Sequence, residues 1–94
     1  MGAPLHTIPK LTMKQQAATS TPTSIDPTGS LITTRILFKA AGAGCFIGWG
    51  KDISTTNSAV ELATTWMEVW CSNPKEIFIV GASTAHIIFE QPEG

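Results

Sequence analysis

Ninety-four residues, 43% of them hydrophobic, make one small domain with a modest core. The formal net charge of −1 excludes the basic stripe that nucleic-acid binding requires. No apolar run approaches the length of a membrane-spanning helix, so neither nucleic acid nor membrane is expected as a partner.

The average hides a split. Residues 1–30 hold only Met1, Leu5, Ile8, Leu11, Met13 and Ile25 as large apolar side chains, among many Thr, Ser, Gln and Pro, whereas every Trp and Phe lies between positions 38 and 89. Lys10 and Lys14 against Asp26 leave the first part at +1, and the remainder carries −2. The stretch "AATSTPTSIDPTGS" is small, polar and broken by Pro22 and Pro27. Proline removes a backbone donor and turns its predecessor away from helix, so residues 1–30 read as an extended N-terminal arm. Removing residues 1–25 is then expected to leave a folded domain. "DPTG", Asp26 to Gly29, has proline at the second position of a β-turn and marks the entry to the folded part. The N-terminus lacks the apolar core of a secretory signal, and a cytoplasmic origin is expected.

From Leu31 the pattern becomes one of strands. In "LITTRILFKA", Ile36, Phe38 and Ala40 alternate with Arg35, Leu37 and Lys39, the period of a half-buried strand. "AGAG" is a turn and "CFIGWG" a second strand, completing a hairpin. The glycines at 42, 44, 48 and 50 miss the dinucleotide fingerprint by one position, and no helical pattern follows them. They read instead as turn glycines, with Gly48 marking a bulge or a close passage inside the strand.

Two readings fit "STTNSAVELATTWMEVWCSN". Ser58 followed by Glu61 matches a helix capping box, with Val60, Ala63, Met67 and Trp70 on one face. The other takes "AVEL" as a short edge strand and "WMEVWC" as a strand with Met67, Val69 and Cys71 inward and Glu68 and Trp70 outward. Two Thr and two Trp lower helix propensity and favour the strand. "EIFIVGAS" and "AHIIFEQ" supply the last two strands. The expectation is all-β: a small antiparallel β-sandwich or barrel of about 5–7 short strands over residues 31–94, preceded by the arm.

Chemistry is sparse. Cys45 and Cys71 sit in apolar runs and read as buried free thiols. A zinc site would also need His6 and His86, without the short ligand spacings zinc prefers. His86 lies in a strand pattern, where a sheet-face histidine is the plain reading, though a Cys71–His86 pair is geometrically open. Glu61, Glu68, Glu76 and Glu90 are scattered as solvated positions. No catalytic residue, cofactor or metal is expected. The tryptophans are more informative, because Trp is enriched in protein interfaces. Trp49 is expected in the core, capping the sandwich. Trp66 and Trp70 are expected to include a contact with another chain, together with Leu5, Ile8, Leu11 and Met13 of the arm.

"LFKAAGAGCFIGWGKD", the polar "TTNSA" loop, "TWMEVWCSN", "KEIFIVGA" and "AHIIFEQ" together resemble the small β-sandwich virion proteins of tailed bacteriophages. The resemblance covers residues 33–91. It implies a capsid decoration, or cement, subunit that braces neighbouring capsid protomers within a virion assembled in the host cytoplasm. The implied partners are the major capsid protein or another virion protein, and further copies of the chain, with a trimer favoured. The arm is less usual in that pattern and leaves a neck or tail position as the alternative. A receptor- or carbohydrate-binding β-module, with Trp66 or Trp70 as a stacking platform, is the rival of a different class.

Overall fold

The structure, a computed structural model, describes residues 10–92. These residues form eight strands in chain order: β1 (Lys10–Ala17), β2 (Thr23–Ser24), β3 (Arg35–Ala40), β4 (Cys45–Trp49), β5 (Val60–Glu61), β6 (Met67–Trp70), β7 (Ile77–Gly81) and β8 (Thr84–Gln91). A 3-10 turn over Pro74–Glu76 leads into β7. Sheet I has the order β1-β8-β3-β6 and sheet II the order β2-β7-β4-β5, with every pairing antiparallel. The two sheets pack face to face. This is the expected all-β sandwich.

Alternation builds the core. Ile36, Phe38 and Ala40 of β3 and Ala85, Ile87 and Phe89 of β8 face Cys45, Ile47, Ile77 and Ile79 of sheet II, all buried. Burying each large side chain contributes on the order of 1.5–3 kcal/mol. Residues 58–71 hold two short strands, β5 and β6, joined by a loop and no helix, with Met67 and Val69 half-buried and Glu68 and Trp70 exposed. Glu61 caps no helix; its Oε2 accepts the Gly44 backbone N–H at 3.0 Å just ahead of β4. The expected β3–β4 hairpin does not form, because the turn at residues 41–44 carries the chain from sheet I to sheet II. The Asp26–Gly29 turn closes with a 3.0 Å bond from the Gly29 N–H to the Asp26 carbonyl. The buried Asp26 carboxylate then accepts the Leu31 N–H at 2.9 Å, fixing the chain's entry into β3.

The first thirty residues differ from the expected arm. Leu5 and Ile8 lie outside the described residues. Residues 10–17 are extended, but they pair with β8 along their whole length, from Lys10 opposite Gln91 to Ala17 opposite Thr84. Ile25 is 1% exposed, inside the core. Removal of residues 1–25 would therefore take away a strand and a core side chain, and the boundary of the folded unit lies at or before Lys10. The reason this was hidden lies in the register. Thr12, Lys14 and Gln16 stand opposite the inward Phe89, Ile87 and Ala85, so the inner face of β1 is polar and its apolar residues point out.

Those inner polar groups tie the sheets together at one side. Lys14 Nζ donates to the Ile25 carbonyl at 2.6 Å, and Gln16 Nε2 donates to Thr23 Oγ1 at 3.2 Å and the Ser24 carbonyl at 3.3 Å. Partial burial lowers the Lys14 ammonium pKa, against the opposing pull of Asp26.

Cys45 and Cys71 are free thiols, Cys45 buried and Cys71 half-buried. Burial pushes the Cys45 pKa up to about 11. The thiolate is the reactive form, so native protein at pH 8 is expected to leave Cys45 unmodified by a thiol reagent while Cys71 reacts. Adding denaturant should release the second equivalent. Two fast equivalents from native protein would contradict this burial.

Candidate functional site: the outer face of sheet I

The register of sheet I sorts its outward side chains into rows. The first row is Leu11, Glu90, Arg35 and Trp70; the second is Met13, Ile88, Leu37 and Glu68. Gln15, His86 and Lys39 begin the third, and Trp66, just ahead of β6, completes it by lying under Lys39. Rows one and three stand roughly 13 Å apart, four residues along an antiparallel strand.

Four of these side chains are large, apolar and unusually exposed: Met13 at 71%, Trp70 at 68%, Leu11 at 57% and Trp66 at 45%. They are the four described members of the expected interaction set, and the fold gathers them on one surface from opposite edges of the sheet. Leu11 and Met13 on the β1 edge and Trp66 and Trp70 on the β6 edge flank a strip in which Ile88 and Leu37 lie among Glu90, Arg35 and Glu68. Exposed large apolar side chains rimmed by polar ones mark interaction sites.

Both tryptophans are held by cations. The Arg35 guanidinium lies 5.6 Å from the centre of the Trp70 ring, and Lys39 Nζ lies 5.3 Å from that of Trp66. Such contacts contribute about 0.5–1 kcal/mol at exposed sites and reduce the freedom of the rings. Arg35 also bridges two carboxylates, with Nη1 2.5 Å from Glu68 and Nη2 2.7 Å from Glu90. The hydrogen bonds Arg35 donates, first to Glu90 and then to Glu68, raise its pKa further. Lys39 has no carboxylate within ion-pair distance among the described residues. Beside it, Met13, Gln15, Trp66 and His86 line a shallow depression of about 300 Å³.

Alternation along β3 marks Arg35, Leu37 and Lys39 as the outward set. Their partnership with the tryptophans depends on β6 pairing beside β3 and has no local signal.

Trp49 is not in the core. It shares inward parity with Cys45 and Ile47 but is 60% exposed, because β5 pairs only with Phe46 and Ile47 and stops short of it. With Val60, Met67 and Val69 it lines a second, smaller apolar groove of about 170 Å³ between the open edges of the two sheets.

His86 and Cys71 are not brought together. Cys71 follows Trp70 beyond the first row, and His86 stands in the third, so they are separated by roughly 15 Å along the sheet. The described residues hold no cluster of three or more His, Cys, Asp or Glu with metal-binding geometry. No model of a protein family, no curated protein and no solved structure matches this chain.

Proposed function

We propose that this chain is a non-catalytic structural module that works through surfaces lent to neighbouring protein subunits. The observation that carries the reading is the convergence of Leu11, Met13, Trp66 and Trp70, all exposed, on the outer face of sheet I. The phage resemblance supplies the setting: a virion component of the capsid-decoration type, with a neck or tail position as the alternative. Trp66 and Trp70 suit an interface because a large aromatic side chain gains much on burial and loses little conformational freedom. Their pinning by Lys39 and Arg35 lowers that ordering cost further.

The test is particle occupancy. A Met13→Ser/Trp70→Ser variant changes only outward positions, so it should retain native circular dichroism. It is expected to be depleted at least about tenfold from sedimented particles, in line with the loss of a central aromatic contact. Full occupancy would overturn the reading. A glycan-dependent change in tryptophan fluorescence, abolished by Trp66→Ala or Trp70→Ala, would favour the carbohydrate-binding module instead.

A further inference from the structure

We infer that the open edge of β6 takes up a short extended segment of a partner protein as a fifth strand of sheet I. The segment reads apolar, basic, apolar. This site lies on the edge of the sandwich, over the groove beside Trp49, and does not depend on the reading of the outer face.

The register fixes which main-chain groups face that edge. The Ala41 N–H donates to the Thr84 carbonyl at 2.8 Å, on the β8 side, while the Ala40 N–H turns the other way, to the Ala63 carbonyl at 2.9 Å. Hydrogen bonding in an antiparallel sheet changes side from one residue to the next. Arg35, Leu37 and Lys39 therefore bond to β8, and Ile36 and Phe38 bond to Val69 and Met67 of β6. The N–H and C=O of Glu68 and Trp70 are left pointing out of the sheet, with no backbone partner among the described residues.

Behind this edge the two sheets are not closed. Trp49, Val60, Met67, Val69 and Ile77 line the apolar groove of about 170 Å³, where Trp49 and Val60 stay 60% and 58% exposed. A strand bonded to Glu68 and Trp70 would set its residues facing Met67 and Val69 on the inner side, over the groove. Its residue facing Glu68 would lie on the outer side. There Glu68 and Glu90 share one cation, Arg35, so two carboxylates against one guanidinium leave a net −1. Glu68 is the member at the open edge, and a cation directly opposite it would stand about 5 Å away between Cβ atoms.

The size of the site also selects a segment over a folded surface. β6 is 4 residues long, and a cavity of about 150 Å³ takes one benzene-sized group, far from the roughly 800 Å² per partner of a standard interface. In strand addition the main chain gives affinity and the side-chain pockets give specificity, which is the division seen here. The other edge of sheet I differs: β1 carries the inward Lys14, and an inward charge discourages strand addition. No inward charge guards β6.

The test is an amide NMR titration of the full-length, nitrogen-15-labelled chain with the peptide acetyl-Thr-Val-Lys-Val-Thr-amide. Saturable shifts are expected at the Glu68 and Trp70 amides, with a Kd of roughly 0.1–1 mM, the scale of a small net gain. Both amides should also exchange more slowly, while those of Leu11 and Met13 on the far edge stay unchanged. Serine in place of both peptide valines should weaken binding at least about tenfold, and glutamate in place of its lysine at least about threefold. Glu68→Lys should reverse the preference between the lysine and glutamate peptides. Methylating the backbone nitrogen of the peptide lysine should abolish the shifts. No shift at millimolar peptide, shifts confined to another surface, or indifference to the peptide changes would overturn the inference. Glu68 and Trp70 amides already protected without peptide would overturn it too. Protection that grows with protein concentration would make a second copy the occupant, and constant protection a segment of the same chain. A chain that binds the peptide but occupies no particle would keep this site and lose the proposed function; the opposite result would do the reverse.

Discussion

Phe89→Ala is expected to destabilise the domain by about 3–5 kcal/mol, enough to leave much of it unfolded at 37 °C. Phe89 is 1% exposed on β8, the central strand between β1 and β3, opposite Thr12 on one side and Ile36 on the other. Truncation removes the transfer energy of the ring and leaves a cavity that its neighbours cannot collapse to fill. Ile36, Phe38 and Ile87 are themselves held in register by two flanking strands. Compensation from β1 is not available, because the inner face of that strand presents Thr12, Lys14 and Gln16. Urea unfolding followed by tryptophan fluorescence measures the effect. A loss below about 1 kcal/mol would mean that Phe89 is not in a close-packed core.

Gly81→Ala should produce a loss of similar size from a different cause. Gly81 ends β7 at φ +127°, a conformation that L side chains rarely adopt. An added Cβ would also land on the Gly44 carbonyl oxygen. That oxygen is not free to move, since it accepts the Ala82 N–H at 2.8 Å and thereby joins the β4 and β7 ends. The Gly81 N–H is committed as well, donating to the Thr19 carbonyl at 2.8 Å. Strain and clash together should cost roughly 2–4 kcal/mol, more than either the backbone term or a surface substitution alone. Gly50→Ala is the matched control, because its φ is +85° but no atom lies within 4 Å of the position its Cβ would take. If thermal denaturation shows the two variants equally stable, the close approach at Gly81 is not real.

The two predictions bear on function because the proposed interface is only as well placed as the strands beneath it. Every outward row of sheet I crosses β8, and β8 is held by Phe89 below and by the Gly81-containing turn at its start. A variant that loosens either should lose the outer face together with the core. The Met13 and Trp70 substitutions act at the surface and should leave stability nearly unchanged. That separation lets occupancy defects be assigned to the face itself.

Local alternation was sufficient to identify β3, β4 and the inward Met67 and Val69 of β6, because each strand places a continuous apolar stripe on the core. The "DPTG" turn was legible for the same reason: proline and glycine restrict or permit particular backbone angles with no help from distant residues. β1 was not. Its polar side chains face inward and its apolar Leu11 and Met13 face outward, so it carries the expected pattern of an arm. Only pairing with β8, 67 to 81 residues away in sequence, makes it a strand. Trp49 had the right parity for the core, but its exposure was decided by where β5 ends. The interaction face was half visible in the sequence. Bulky residues in a polar segment and two tryptophans in and beside a short strand pointed to contacts, whereas their meeting on one face follows from strand order. Strand order is set by long-range pairing, which has no local signature in side-chain period, and that is why the tertiary structure alone decided it.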